Sequence, residues 1–133
     1  MENQPISHVP EHFGFKNGAE KFPTVLLISG SSPCNARCAH CPCTLNPKTR
    51  NTDEPYLRYE YFKKIADESA EFSCAIRVSG YGEPLLNPTL IDSLEYVKSK
   101  GLEASLITNG SLLNEEKARR LLAAGIDAVE ISC

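Results

Sequence analysis

The sequence predicts an α/β fold in which parallel strands alternate with helices. Three observations support this prediction: short apolar runs recur along the chain, amphipathic stretches of helical period separate them, and Gly, Pro or Asn marks most of the boundaries. Strands that alternate with helices in this way pair in parallel through right-handed crossovers. We expect the order β-α-β-α-β-α-β, with strands at residues 24–29, 74–79, 103–108 and 128–132.

The first strand and the first helix differ in their hydrophobic period. Residues 24–29 form a short, apolar and partly β-branched run, which is typical of a buried parallel strand. Residues 46–55 are polar and dense in turn formers. Residues 57–70 are predicted to form a helix, because small or apolar side chains recur on one face, at Phe62, Ile65, Ala66 and Ser69. Cys74 begins the second strand and is expected to act as a small apolar side chain.

The second and third helices carry signals at their ends. Asn87 and Pro88 predict an N-cap followed by proline at the first helical position. The turns that follow place apolar side chains on one side, at Leu90, Ile91, Leu94 and Val97. Gly101 permits the left-handed conformation that ends a helix. Asn114 is expected to cap the third helix and Gly125 to end it.

The chain divides into an N-terminal extension, residues 1–22, and one α/β domain, residues 23–133. The extension is polar, and it lacks the basic and apolar blocks of a secretory signal. The last apolar strand has no helix after it and would leave an exposed edge. We therefore expect a fragment of a longer barrel-like domain, truncated after its fourth strand.

Charge and hydropathy narrow the range of partners. The formal net charge of −3 provides no electrostatic footprint for nucleic acid. No apolar run approaches the roughly 20 residues that span a bilayer. Together with the absence of a secretory signal, these features predict a cytoplasmic protein with neither a nucleic-acid nor a membrane partner.

The cysteines are clustered rather than spread along the chain. Four of the six fall between residues 34 and 43. A disulfide framework would distribute its cysteines to close loops and would need an oxidising compartment, so the clustering indicates a metal centre instead. Cys34, Cys38 and Cys41 follow the first strand with the spacing C-x-x-x-C-x-x-C. Such soft thiolates suit an iron–sulfur cluster or zinc.

The two metal centres require different ligand sets. Three cysteines would leave one iron of a [4Fe–4S] cluster open to another ligand, whereas zinc would take Cys43 or His40 as a fourth ligand. Zinc knuckles usually bind the metal through two separated pairs of ligands, whereas here all the candidate zinc ligands lie in one loop. Cys41-Pro-Cys43 is not the C-x-x-C of a dithiol redox site. Neither Cys43 nor Cys133 receives a role.

Two further loops carry ligand-binding signals. Gly80 and Gly82 follow the second strand and allow a close backbone approach. Thr108-Asn109-Gly110 ends the third strand, although Asn-Gly is also a common turn. Ligands of parallel α/β folds bind at the carboxyl ends of the strands. Because the cysteine loop lies at the same edge, the sequence predicts one site formed by three successive loops.

Together these motifs resemble the radical S-adenosylmethionine (SAM) superfamily. The cysteine motif after the first strand resembles the family signature. Gly82-Glu83-Pro84 resembles its G-G-E-P element, with Tyr81 where the family has glycine, and Thr108-Asn109-Gly110 resembles its T-N-G element. The resemblance covers about residues 24–132. It implies a partial (β/α)6 TIM-like barrel, of which this chain would supply the first four strands and three helices.

The resemblance also implies a chemistry. Cys34, Cys38 and Cys41 would hold a [4Fe–4S] cluster whose open iron chelates SAM. One electron would cleave the sulfonium C–S bond and give a 5′-deoxyadenosyl radical, which abstracts hydrogen from a substrate. His40 would lie near the adenine and Ser132 near the ribose or carboxylate. The full set of expected SAM contacts is His40, Gly80, Tyr81, Gly82, Glu83, Pro84, Thr108, Asn109 and Ser132.

The expected partners are SAM, an electron donor such as flavodoxin or ferredoxin, and a small-molecule or peptide substrate. We expect the chain alone to bind the cluster but to have little activity. Two other functions remain open: a non-catalytic zinc- or iron–sulfur-binding module, and a cluster-bearing electron carrier. Iron with sulfide, rather than stoichiometric zinc, would exclude the zinc module, and a cluster signal that changes with SAM would exclude the carrier.

Overall fold

The computed structural model describes residues 22–46, 48 and 53–132, so the predicted N-terminal extension up to residue 21 lies outside the described residues. The described part contains a four-stranded sheet: β1 (Val25–Ser29), β2 (Ala75–Ser79), β3 (Ala104–Thr108) and β4 (Ala128–Ile131). All pairs are parallel, in the order β1-β2-β3-β4. The predicted α/β fold, a partial barrel of parallel strands alternating with helices, is confirmed.

Three main helices connect the strands: α2 (Tyr59–Ala70), α3 (Leu90–Ser99) and α4 (Glu115–Ala124). A shorter helix, α1 (Pro42–Leu45), follows the cysteine motif, and a single 3-10 turn covers Pro84–Leu86. These two short elements were not predicted from the sequence. Within the described part of the chain, none of the helices combines the length and apolar character needed to span a bilayer.

The core lies between one face of the sheet and the three main helices. Ile76, Val78 and Leu106 project from β2 and β3 into this layer and are almost fully buried. The predicted helix faces meet them there, with Phe62 and Leu94 completely buried. Cys74 is also buried, and burial raises the pKa of its thiol above the ordinary value. The thiol therefore stays protonated, as expected of a small apolar side chain.

The other face of the sheet is more polar and more exposed. Arg77 on β2 forms an ion pair with Glu130 on β4, reaching across the small side chain of Ser105 on β3. Ser79 and Ile107 follow Arg77 and Ser105 by two residues on their strands, nearer to the carboxyl ends, and Ile107 is the register partner of Glu130. This face, rather than the helix-covered face, continues into the loops that carry the sequence motifs.

The helix ends agree with the predictions except at α3. Asn114 caps α4 by accepting a hydrogen bond from the Lys117 N–H at 2.9 Å, and Gly125 ends the helix with a φ of +74°. The N-cap of α3, however, is Thr89 and not Asn87. The buried side chain of Asn87 donates to the carbonyls of Gly30 and Leu57, both at 2.9 Å. Asn87 therefore joins two loops, and α3 begins at Leu90, three residues after Asn87.

Candidate metal and cofactor site

The loops that follow β1, β2 and β3 meet at the carboxyl edge of the sheet. They enclose a cavity of about 270 Å³. The cavity brings together almost every residue predicted for the site: Cys34, Cys38, His40, Cys41, Gly80, Tyr81, Gly82, Glu83, Thr108, Asn109 and Ser132. Pro84 is the exception, because it is buried at the start of the 3-10 turn. The lining also includes Ser79 and Ile107 from the polar face of the sheet.

The three motif cysteines are thiols that border this cavity. Cys34 and Cys41 are partly buried and Cys38 is exposed. The Cys41 N–H donates to the Cys38 carbonyl at 3.0 Å, and the Cys41 carbonyl accepts from Thr44 in the first turn of α1. The missed helix α1 therefore anchors the end of the cysteine loop. It also turns Cys43 away, since Cys43 is buried and lines a second cavity of about 360 Å³.

The glycines after β2 allow two loops to pack together. A Cβ at Gly82 would lie 2.0 Å from the Ser31 carbonyl oxygen, and Gly80 has a φ of +137° with Ser29 beside it. The next residue, Glu83, donates its N–H to the Pro33 carbonyl at 2.9 Å. The backbone at Gly82 therefore packs closely against the cysteine loop, and the predicted approach of Gly80 and Gly82 to a ligand stays a prediction.

Glu83 joins the second loop to the third. Its carboxylate is 1% exposed and accepts three hydrogen bonds: from the Leu85 N–H at 3.0 Å, the Thr108 hydroxyl at 2.6 Å and the Asn109 N–H at 2.8 Å. Three donors compensate for the cost of burying this carboxylate. The Thr108 hydroxyl also accepts from the Gly110 N–H at 3.1 Å. The polar atoms of Glu83 and Thr108 thus hold the loops together, and direct SAM contacts by these side chains stay a prediction.

Asn109 connects the third loop to the cysteine loop. Its Nδ2 donates to Asn35 Oδ1 at 2.9 Å and lies 4.0 Å from the Cys34 sulfur. Asn35 in turn donates to the Ser111 hydroxyl at 2.7 Å. Asn35 and Ser111 were not predicted from the sequence. The partners of Asn35 lie more than 70 residues away along the chain. Ser111 also hydrogen-bonds to Asn109 Oδ1 two residues before it, a local Asn turn that does not by itself reveal the contact with Asn35.

The exposed groups at the cavity are those available to a ligand. Tyr81 is 67% exposed and lines both this cavity and the second one. His40 is exposed at the cavity mouth. Ser132 follows β4, where its N–H donates to the Thr108 carbonyl at 2.9 Å. The structure therefore places these three predicted residues at the cavity without assigning a ligand atom to any of them.

The donor set fits an iron–sulfur cluster. Three soft thiols border one cavity, which is the chemistry that cysteine-ligated clusters use, and the remaining lining combines glycines, polar residues and apolar residues. Within residues 22–46, 48 and 53–132, no three His, Cys, Asp or Glu side chains are grouped as ligands of one metal ion. Metal analysis is the measurement that separates a cluster from zinc.

Comparison with known proteins establishes the family. The Radical SAM superfamily profile matches residues 28–133, and this chain belongs to that superfamily. It is 32% identical over 109 residues to the tungsten-containing aldehyde ferredoxin oxidoreductase cofactor-modifying protein of Pyrococcus furiosus, covering 80% of this chain and 30% of that protein. It is 30% identical over 110 residues to the AdoMet-dependent heme synthase of Methanosarcina barkeri, covering 83% and 31%.

A solved structure supports the fold. The structure of BtrN in complex with AdoMet and 2-DOIA superimposes with a TM-score of 0.69 at 23% identity, covering 84% of this chain and 46% of BtrN. This likeness concerns the fold alone. The chain spans about a third of the length of the curated relatives it matches.

Proposed function

We propose that this chain binds a [4Fe–4S] cluster through Cys34, Cys38 and Cys41 and binds SAM in the same cavity, as the cofactor-binding part of a radical SAM enzyme. The observation that carries the proposal is the meeting of three motif-bearing loops around one cavity, with all three thiols on its wall. Family membership supports it, because radical SAM enzymes carry out their chemistry with these two cofactors.

Different residues of the site would bind the cluster and SAM. When bound, the cluster supplies the electron that cleaves SAM and generates the radical for hydrogen abstraction. Cys34, Cys38 and Cys41 would hold it and leave one iron for SAM. The exposed side chains of His40 and Tyr81 would contact the nucleoside, and Ser132 would contact the ribose or carboxylate.

The loop residues would set the geometry. Backbone atoms of Gly80 and Gly82 would face the amino group of SAM, and the buried Glu83 carboxylate would fix them against the third loop. Packing of the second loop on the cysteine loop would keep water from the reacting atoms. The substrate, a small molecule or a peptide, and a flavodoxin- or ferredoxin-type electron donor complete the proposal.

Metal and sulfide analysis of cysteine variants tests the cluster assignment. Each of the variants Cys34→Ala, Cys38→Ala and Cys41→Ala should fail to retain the cluster after anaerobic reconstitution, because each lacks one of the three ligands. Iron, acid-labile sulfide and zinc are quantified on each purified variant. Wild-type protein should contain iron and sulfide and lack stoichiometric zinc.

Cys43→Ala is the matched control, because Cys43 is two residues from Cys41 but lines the other cavity. It should retain iron and sulfide at the wild-type level. Equal metal loss in Cys43→Ala and Cys41→Ala would instead support a four-thiolate site. Stoichiometric zinc without sulfide in the wild-type protein would contradict the proposal and favour a structural zinc module.

A further inference from the structure

A closed ring of side-chain hydrogen bonds lies beside the motif cysteines. Asn109 Nδ2 donates to Asn35 Oδ1 at 2.9 Å, Asn35 Nδ2 donates to Ser111 Oγ at 2.7 Å, and Ser111 Oγ donates to Asn109 Oδ1 at 2.6 Å. Each member both donates and accepts within the ring. The ring therefore holds the Asn109 amide in one orientation between the cysteine loop and the third loop.

The orientation of the Asn109 amide is fixed by a backbone group. Its Oδ1 accepts the Ser111 N–H at 2.9 Å, and a backbone N–H can only donate. The oxygen therefore faces Ser111, and the nitrogen faces the cysteine loop. An amide nitrogen carries two hydrogens, of which Asn35 takes one. The Nδ2 atom also lies 4.0 Å from the Cys34 sulfur, which is within reach of its second hydrogen.

A donor at this sulfur has an electrostatic consequence. The Ala36 N–H already points at Cys34 Sγ from 3.4 Å, so Asn109 adds a side-chain donor to a backbone donor. A ligating cysteine is a thiolate, and hydrogen bonds to a charged acceptor are shorter and stronger than those to a neutral thiol. Donors to cysteine sulfur stabilise the more negative, reduced form of an iron–sulfur cluster and raise its reduction potential.

We propose that Asn109 is a positioning residue that donates a hydrogen bond to the Cys34 thiolate and raises the reduction potential of the cluster, with Asn35 and Ser111 holding its amide in place. The inference rests on the proposed function, because it requires the cluster at Cys34. It gives the T-N-G loop a role in tuning electron entry that is separate from contact with SAM.

The test is a redox titration of anaerobically reconstituted protein, followed by the electron paramagnetic resonance (EPR) signal of the reduced cluster. Asn109→Ala removes the donor and should make reduction less favourable by about tenfold, which is a fall of 59 mV for a one-electron couple. Asn109→Ser, whose hydroxyl is too short to replace the amide, should give a fall of the same size. Ser111→Ala keeps the donor but opens the ring, and it should give a smaller fall.

Asn114→Ala is the matched control, because it is the same substitution five residues away and removes the cap of α4 instead. It should lower the melting temperature and leave the potential unchanged. If the cluster has the same reduction potential in wild type, Asn109→Ala and Asn109→Ser, the inference about Asn109 is overturned and the proposed function still stands. If Asn109→Ala does not retain the cluster, the reduction potentials of Asn109→Ser and Ser111→Ala test the inference. Lower potentials than in wild type support it, and unchanged potentials overturn it. Wild-type protein that assembles no cluster would overturn the proposed function as well.

Discussion

At the scale of single residues, Glu83 is the side chain on which the site most depends. A buried carboxylate without partners is strongly unfavourable, and each hydrogen bond to a charged group contributes about 1.5–3 kcal/mol. Glu83 takes its three hydrogen bonds from its own turn and from the third loop. Its backbone N–H also reaches the cysteine loop. One residue therefore contacts all three loops that form the cavity.

Gly82 gives the sharpest single-residue prediction. A methyl group at Gly82 would stand 2.0 Å from the Ser31 carbonyl oxygen and 2.8 Å from that of Pro33, so the cysteine loop must move to admit it. Gly82→Ala should therefore reduce cluster retention as well as SAM affinity. Iron and sulfide content after reconstitution, followed by calorimetric titration with SAM, measures both effects.

Gly101→Ala is the control for this prediction. Gly101 has a φ of +74° but nothing within 4 Å of an added Cβ. The change should cost about 1 kcal/mol of unfolding free energy from backbone strain and spare the metal site. Wild-type cluster retention in Gly82→Ala would contradict the account of close loop packing.

The sequence was sufficient for the residues that carry chemistry and insufficient for those that hold them. Cys34, Cys38 and Cys41 are recognisable because their spacing is local. The contact between Asn35 and Ser111 is not, because it forms only when loops more than 70 residues apart meet. Asn87 was assigned to a helix cap for the same reason, since its two carbonyl partners are set by tertiary packing.

At the scale of elements, Asp127 joins α3, β3 and β4. Its carboxylate accepts from Lys98 Nζ and from the Ala104 N–H, both at 2.7 Å, and its own N–H donates to the Ala104 carbonyl at 3.0 Å. The hydrogen bond from Lys98, followed by that from Ala104, lowers the pKa of Asp127. This residue therefore fixes where β4 begins relative to β3.

The lowered pKa of Asp127 predicts acid sensitivity. The folded state favours the ionised carboxylate, so this contribution is fully present above the unfolded pKa of about 3.9 and is lost as the pH falls through the lower folded value. Asp127→Asn should therefore cost about 1 kcal/mol of unfolding free energy at pH 7 and progressively less below pH 4. Denaturant unfolding at several pH values measures this difference.

Glu103→Gln is the control for the Asp127 prediction, because Glu103 is an exposed carboxylate at the start of β3. It should leave unfolding at neutral pH nearly unchanged. An Asp127→Asn deficit that is the same at pH 3 and pH 7 would contradict the role of the ionised carboxylate.

The main elements were predictable because their periods and end signals are strong. The four strands and three main helices occur where the apolar runs and amphipathic faces indicated. Helix α1 has four residues and the 3-10 turn has three, which is too short for a periodic pattern to develop. Both begin with a proline, Pro42 and Pro84, which is a local start signal that was not used in the prediction from the sequence.

At the scale of the whole molecule, the parallel sheet explains why the motifs work together. Parallel strands in the order β1-β2-β3-β4 bring successive loops to one edge, where the cavity lies. Family membership and the likeness to BtrN agree with this arrangement. The polar face carries the Arg77–Glu130 ion pair and also contributes Ser79 and Ile107 to the cavity lining.

The central claim is that three thiols hold a cluster with one iron open to SAM. EPR spectroscopy of anaerobically reconstituted, dithionite-reduced protein, recorded with and without SAM, tests it most directly. We predict a [4Fe–4S]⁺ signal whose shape changes when SAM is added. A reduced cluster signal that is identical with and without SAM, or protein that contains zinc and gives no iron signal, would contradict the account.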